Sequence, residues 1–192
     1  MQSIDRLVGH HFAAFEEAWT PVPRLVGMAS GTVLELGPGS GNQLPRFDRS
    51  AISRIYGIEP NEYLFNLLRD DAVRQHGLGD IYFPINAALE DDSLLDSRGI
   101  GAESIDTVVC MQVLCSVPDP ARAAEHIHRL LKPGGQLLFW EHQASRDPVT
   151  RLVQGEAGPL GPVLSCAIAC HAYLLDRLLE LDLDPAGRRL SP

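Results

Sequence analysis

The stretch Val33-Leu34-Glu35-Leu36-Gly37-Pro38-Gly39-Ser40-Gly41 is an apolar run that breaks into three glycines at alternate positions. Residues 32–36, TVLEL, predict a short strand, and the glycine-dense segment after it predicts a tight loop. Without Cβ atoms, such a loop turns sharply and lets its backbone come within contact distance of a ligand. Spacing then divides the candidates. A dinucleotide fingerprint runs G-x-G-x-x-G, so that a pyrophosphate sits on a helix N-terminus. Here the third glycine comes one residue early and an acid, Glu35, precedes the loop. That combination suits a ligand carrying an ammonium group and no phosphate. A purely structural tight turn is the other reading of the same residues.

Working outward, strand-like and helix-like patterns alternate. RIYGI, residues 54–58, predicts a second strand closed by Glu59-Pro60-Asn61, and a helix is predicted over 62–75, with Leu64, Phe65, Leu67, Leu68 and Val73 at helical spacing. Residues 81–87, IYFPINA, predict a third strand that Pro84 places at a sheet edge. The continuous apolar run over 104–113 predicts a strand buried on both faces of a parallel sheet. A helix over 120–131 should stop at Lys132-Pro133-Gly134-Gly135, and QLLFWEH, 136–142, should form a fifth strand. Strands alternating with helices predict a three-layer α/β fold with right-handed crossovers. Ahead of it, HHFAAFEEAW is an amphipathic stretch suited to a lid.

Composition narrows the function classes. The 192 residues suffice for one domain with a sizeable core, and no repeat or linker divides them. With 25 acidic and 16 basic side chains the formal charge is -9, which argues against a surface that neutralises nucleic-acid phosphates. No run reaches the roughly 18 to 20 apolar residues of a membrane span. The N-terminus, with Asp5 early, lacks a signal-peptide core, so a cytoplasmic location is expected. Four cysteines are too few for a disulfide scaffold. Cys110 and Cys115, in an apolar run, are expected to be reduced and buried, and Cys166-x-x-x-Cys170 beside His171 lacks the further ligands a zinc site needs. No metal is expected.

Glu59, 18 residues beyond Gly41 at the end of the next strand, strengthens the ligand reading. A carboxylate there can accept hydrogen bonds from both ribose hydroxyls of a nucleoside. At this point the sequence resembles the class I S-adenosylmethionine-dependent methyltransferases: VLELGPGSG is similar to their first motif, Glu59 to their ribose-binding acid, and LLKPGGQLLFWEH to their signature around the fifth strand. Within that class, the residues from Asp106 to His142, with VVCMQVLCSV and PGGQLLFWEH at their centre, resemble the methyltransferase-like protein 7 group of small-molecule thiol methyltransferases.

The resemblance implies a Rossmann-like sandwich of strand order 3-2-1-4-5 over residues 30–142, while the residue pattern itself predicts 1–29 as lid helices and 143–192 as a C-terminal helical segment of the same domain. It implies S-adenosyl-L-methionine as cofactor. Gly37, Gly39 and Gly41 would meet its methionine and ribose portion, Glu35 its amino group through water, and Glu59, with Pro60 beside it, its ribose. Ala88 and Leu89 would flank adenine, while Met111, Gln112 and Val113 would line the methionine end. Leu89 and Met111 also read as ordinary core residues. The reaction is an SN2 displacement at a sulfonium, which positioning alone can drive once the nucleophile lies in line at about 3 to 3.5 Å. If a base takes part, His142 is the first candidate and His10 and His11 the second.

The chain departs from the resemblance after His142. The family usually adds an antiparallel pair, strands six and seven, whereas the remaining 50 residues read as helical or irregular. The fifth strand would then be an exposed edge, so a homodimer is expected around it and the 163–181 helix. Transfer to a small, apolar thiol or hydroxyl acceptor is the leading function. A non-methylating step on the same fold, such as cyclisation or isomerisation, and a non-catalytic binding subunit are the alternatives.

Overall fold

The computed structural model describes residues 14–141, without the side chains at 71 and 72. His10, His11 and His142, the three cysteine-region residues 166, 170 and 171, the C-terminal helical segment and the question of strands six and seven lie outside those residues.

Five parallel strands form one sheet in the order β3-β2-β1-β4-β5. They are β1 (Gly31–Leu36), β2 (Ile52–Ile58), β3 (Tyr82–Ile85), β4 (Ile105–Met111) and β5 (Leu131–Trp140). The sheet is the one the alternating pattern predicts, and β3 is an outer strand, as Pro84 requires. In β1, Leu34 pairs with Tyr56 of β2 and with Val108 of β4, so the central strands are covered on both edges and both faces. Side chains alternate between two apolar layers. Leu34, Val108, Cys110 and Leu137 pack with Leu95, Ala124, Ile127 and Leu130 on one face. On the other, Val33, Ile55, Val109 and Leu138 pack with Val22, Val26, Leu44, Leu68 and Val73.

The first layer is closed by α5 (Asp92–Ser97) and α6 (Pro120–Leu130), and the second by α2 (Val22–Val26), Leu68 and α4 (Val73–Gln75), with α1 over 14–19 ahead of them and α3 (Glu62–Leu67), which has no buried residue, leading into Leu68. Two side-chain caps set helix starts. Asn61 accepts from the amides of Tyr63 and Leu64, and Asp119 accepts from those of Ala121 and Arg122. Each cap contributes about 1 kcal/mol, whereas each fully buried Leu or Ile contributes about 1.5 to 3 kcal/mol. The layers therefore hold the fold, and the caps set its boundaries.

Two expectations are corrected. The helix over 62–75 is interrupted by a π turn at Leu68–Ala72, which keeps Leu68 and Val73 both buried although they stand five positions apart. The β1-to-β2 crossover, where the glycine-dense segment predicts a loop, contains a single 3-10 turn, Leu44–Arg46. Finally, the Lys132-Pro133-Gly134-Gly135 break lies inside β5: Ile105 pairs with Leu131 and Thr107 with Gln136, so the strand bulges by three residues. Gly134 has φ 80°, and a Cβ on Gly135 would lie 2.9 Å from the Lys132 carbonyl oxygen. The glycines serve the bulge rather than ending the helix. Lys132 then reaches back to Asp106, whose carboxylate also accepts from the Thr32 amide at 2.8 Å, tying β1, β4 and β5 at their N-terminal ends.

Candidate functional site

The opposite, C-terminal end of the sheet carries the crevice. Order reverses between β1 and β4, the topological switch point where open α/β sheets bind ligands. Leaving β1, the chain turns through Gly37 (φ 55°), Gly39 (φ 57°) and Gly41 (φ 91°), a left-handed run that side chains strain against. Gly37 donates its amide to the Ile58 carbonyl at 3.0 Å, and a Cβ on it would lie 2.9 Å from Val113. A Cβ on Gly39 would meet no atom within 4 Å. Gly39 thus borders open space, and its backbone is what a ligand entering the crevice would touch.

Glu59 is fixed from the neighbouring strand end and is only 5% exposed. Its Oε2 accepts from the Gly39 amide and its Oε1 from the Asn61 amide, both at 2.9 Å. Each oxygen retains a further lone pair for a hydroxyl donor. Asn86 steadies the turn by donating to the Glu59 carbonyl at 2.8 Å and to that of Pro60 at 3.3 Å.

Glu35 points from β1 into the second apolar layer and is 2% exposed. Tyr82, on β3, crosses the intervening strand and donates its hydroxyl to Glu35 Oε2 at 2.5 Å. Among the described residues, Glu35 Oε1 has no hydrogen-bond partner. Burial raises the Glu35 pKa to about 7; the Tyr82 bond opposes the rise, and the charge of Glu59 adds to it. Burial and the adjacent Glu35 hold the Tyr82 hydroxyl well above its ordinary pKa, so the shared proton stays on the phenol.

Glu35, Gly37, Gly39, Met111 and Gln112 surround one cavity of about 110 Å³. Two further residues on its wall are Glu16 and Gln43. Glu16, on α1, is 1% exposed; it accepts from Arg46 at 2.8 Å and from Gln43 at 3.2 Å, which ties α1 to the turn after the glycine loop. The Arg46 ion pair offsets the charge of Glu16, whereas among the described residues no cation is bonded to Glu35.

The chain leaves β4 through Gln112, a non-glycine residue at φ 60° whose amide donates to the Trp140 carbonyl at 2.7 Å. Glu141 Oε1 then accepts from the amides of Val113 at 2.7 Å and Leu114 at 2.9 Å, which holds the strained turn. Cys110 is buried, with its thiol pKa pushed well up by burial and by Glu141 beside it; Cys115, expected to be buried, is only half-buried. Among the described residues no cluster of His, Cys, Asp or Glu could hold a metal ion.

Glu59 and the other predicted positions are not on the wall of this cavity, Glu59 reaching it only through the Gly39 amide. Gly41 turns onto the Pro38 carbonyl at 2.9 Å, Pro60 is exposed, and Val113 backs Gly37. Leu89 is 6% exposed within the layer that includes Leu95, and the Ala88 amide donates to Asp91 at 2.8 Å. Glu16, Gln43, Arg46 and Tyr82 were not singled out by sequence, and Glu141, read there with His142 as pocket wall, instead holds the turn after β4. Of these, Tyr82 had a signal: Gly57 interrupts an otherwise side-chain-rich strand, which marks a close approach by another group.

A doubly wound α/β protein with a glycine cradle, a buried carboxylate and a second acid at adjacent strand ends is the class these features define. Residues 11–170 match the methyltransferase domain family, and the chain belongs to it. Thiol S-methyltransferase TMT1B of Homo sapiens is 33% identical over 130 residues, 67% of this chain and 50% of that protein. Ubiquinone biosynthesis O-methyltransferase of Coxiella burnetii is 29% identical over 107 residues, 56% of this chain and 42% of that protein. The chain spans about half the length of the curated relatives it matches. Among solved structures, an O-methyltransferase family protein from Burkholderia thailandensis superposes with TM-score 0.71 at 17% identity, covering 96% of this chain and 59% of that one. The [4+2]-cyclase SpnF superposes with TM-score 0.64 at 24% identity, covering 83% and 53%. These two likenesses concern the fold alone.

Proposed function

We propose that the crevice binds S-adenosyl-L-methionine and that the protein transfers its methyl group to a small, apolar thiol or hydroxyl acceptor. The observation that carries the reading is Glu35: a buried carboxylate on the cavity wall with one oxygen unpartnered and no cation bonded to it among the described residues. An uncompensated buried charge is costly unless a ligand supplies its counter-charge. An ammonium group does so. The cradle at Gly39 leaves room for the ligand's backbone-facing edge, and Glu59 retains acceptor capacity for a ribose.

The bound cofactor supplies a methyl group on a sulfonium. The chain's own residues bind and orient. Gly37 and Gly39 admit the ligand to the backbone, Glu35 receives the ammonium, Glu59 receives the ribose hydroxyls, and Met111 and Gln112 form the wall on the β4 side. Glu16, held by Arg46, brings α1 to the cavity mouth, which supports reading residues 1–29 as a lid over a single core. Among the described residues, the ionisable groups on the cavity wall are the two carboxylates Glu16 and Glu35. Glu16 is engaged by Arg46 and Glu35 is assigned to the ammonium, so the described part of the site works by positioning and desolvation.

A thiol acceptor is favoured because a named relative is a thiol S-methyltransferase, and a hydroxyl because another is an O-methyltransferase. A cytoplasmic location and self-association through β5 belong to the same proposal. No described helix is long and apolar enough to cross a membrane. Calorimetric titration with S-adenosylhomocysteine, followed by incubation with methyl-labelled cofactor and a panel of thiols and phenols, tests the reading. Saturable binding and labelled product are expected; absence of binding overturns it.

A further inference from the structure

Tyr82 stands outside the cavity wall and makes no contact a ligand could use directly, yet its hydroxyl is spent on Glu35. The route is built into the sheet. Gly57 pairs with Glu35 on one side and Pro84 on the other, and a Cβ at 57 would lie 2.1 Å from the Tyr82 hydroxyl oxygen. Only a glycine leaves the channel through which a β3 phenol reaches β1. A buried tyrosine could satisfy its hydroxyl on any nearby carbonyl; here it takes one oxygen of the carboxylate and leaves the other without a partner.

We propose that Tyr82 is a positioning residue for ligand recognition: its hydroxyl, donated across Gly57 to Glu35 Oε2, fixes the carboxylate so that Oε1 is the acceptor presented to the ligand's ammonium group. The inference rests on the reading that the crevice takes S-adenosyl-L-methionine. The other charged groups facing Glu35 are Glu59 from the end of β2 and Glu16 from α1, the latter paired with Arg46, while β4 presents the apolar Val109. Among the described residues the phenol is therefore the one donor that favours the ionised carboxylate, and without it the carboxylate holds its proton to higher pH.

The test is titration of S-adenosylhomocysteine by calorimetry between about pH 6 and pH 8.5, on wild type, Tyr82→Phe, Glu35→Gln and the double variant. Wild-type affinity should rise as pH passes about 7, where Glu35 ionises. In Tyr82→Phe that rise should move up by about one pH unit, giving a several-fold loss near neutrality. In Glu35→Gln the affinity should not follow this rise, and adding Tyr82→Phe should change it by less than about twofold. 5′-Methylthioadenosine, which keeps the nucleoside and sulfur but has no ammonium, should bind wild type and Tyr82→Phe alike.

An unshifted profile in Tyr82→Phe, or an equal loss in the presence and absence of Glu35, overturns the proposal. Should Tyr82→Phe not fold, wild-type titrations at about pH 6.5 in two buffers of different ionisation enthalpy decide: net proton release on binding is expected, and none overturns it. Failure of wild type to bind S-adenosylhomocysteine would overturn the proposed function as well. Binding without the Tyr82 dependence would overturn this inference alone.

Discussion

Gly57 and Tyr82 occupy one space: the phenol of Tyr82 lies where any side chain at 57 would begin, 2.1 Å from the position of its Cβ. Gly57→Ala must displace a fully buried ring from between two strands. Overpacking of this kind costs about 1 to 3 kcal/mol, to be read from denaturant melts. In a Tyr82→Leu background the same substitution should cost markedly less, because the obstructing hydroxyl and ring end are gone. Equal costs in both backgrounds would place the strain elsewhere.

Glu35 should make the ligand-free protein less stable as pH rises. Its pKa is raised by burial from 4.5 to about 7, so between those values the folded state holds a proton that the unfolded chain has released. Stability is unaffected below the lower value and falls toward the upper one, where the cost reaches about 3 kcal/mol. Glu35→Gln keeps the Tyr82 bond and removes the titration. It should match wild type near pH 5 and exceed its stability near pH 8 by on the order of 1 to 3 kcal/mol, measured by chemical denaturation at both pH values.

Gly39→Ala separates folding from binding. The backbone there has φ 57°, which costs an alanine about 1 to 2 kcal/mol, but its Cβ meets no atom within 4 Å of the ligand-free protein. Melting should show only that modest loss. S-adenosylhomocysteine affinity should fall at least about tenfold, equivalent to about 1.4 kcal/mol, because the methyl group takes the space beside the ligand. A folded variant with undiminished affinity would dissociate the glycine loop from the site.

For Glu59→Ala the expected loss of S-adenosylhomocysteine affinity is about 10-fold to 100-fold, since hydrogen bonds to a charged group contribute about 1.5 to 3 kcal/mol. A 2′-deoxy analogue should lose less on the variant than on wild type. The same deletion factor on both proteins would show that the carboxylate serves only the Gly39 and Asn61 amides.

The fifth prediction concerns association. Among the described residues β5 is an outer strand, and Trp140 near its end is 37% exposed. An edge with apolar side chains beside it invites pairing, so light scattering at high micromolar concentration should report a dimer. A monomer throughout that range would exclude it.

The sheet was legible in the sequence because both faces of a parallel sheet are buried: TVLEL and SIDTVVCMQV are predominantly apolar and rich in valine and leucine, and the glycine loop marks the end of the first. Glycine spacing and the two acids at adjacent strand ends pointed to the crevice for the same local reason. What escaped were contacts between residues far apart in the chain. Tyr82 reaches Glu35 across 47 positions, Arg46 reaches Glu16 across 30, and Glu141 reaches Val113 across 28. No local pattern encodes such pairings. The Pro-Gly-Gly segment misled in another way, since the residues that stop a helix are also those that make a bulge, and only the partner strand decides between them.

One carboxylate, that of Glu59, grips the amide of Gly39 in the loop after β1 and the amide of Asn61 in the loop after β2. Two chain reversals that share no backbone pairing are thereby welded into one cooperative unit. Rotation of the Glu59 side chain would release both amides together, so exchange at Gly39 and Asn61 is expected to be coupled. Because Asn61 is also the cap of α3, the carboxylate that steadies the glycine loop also steadies the start of that helix.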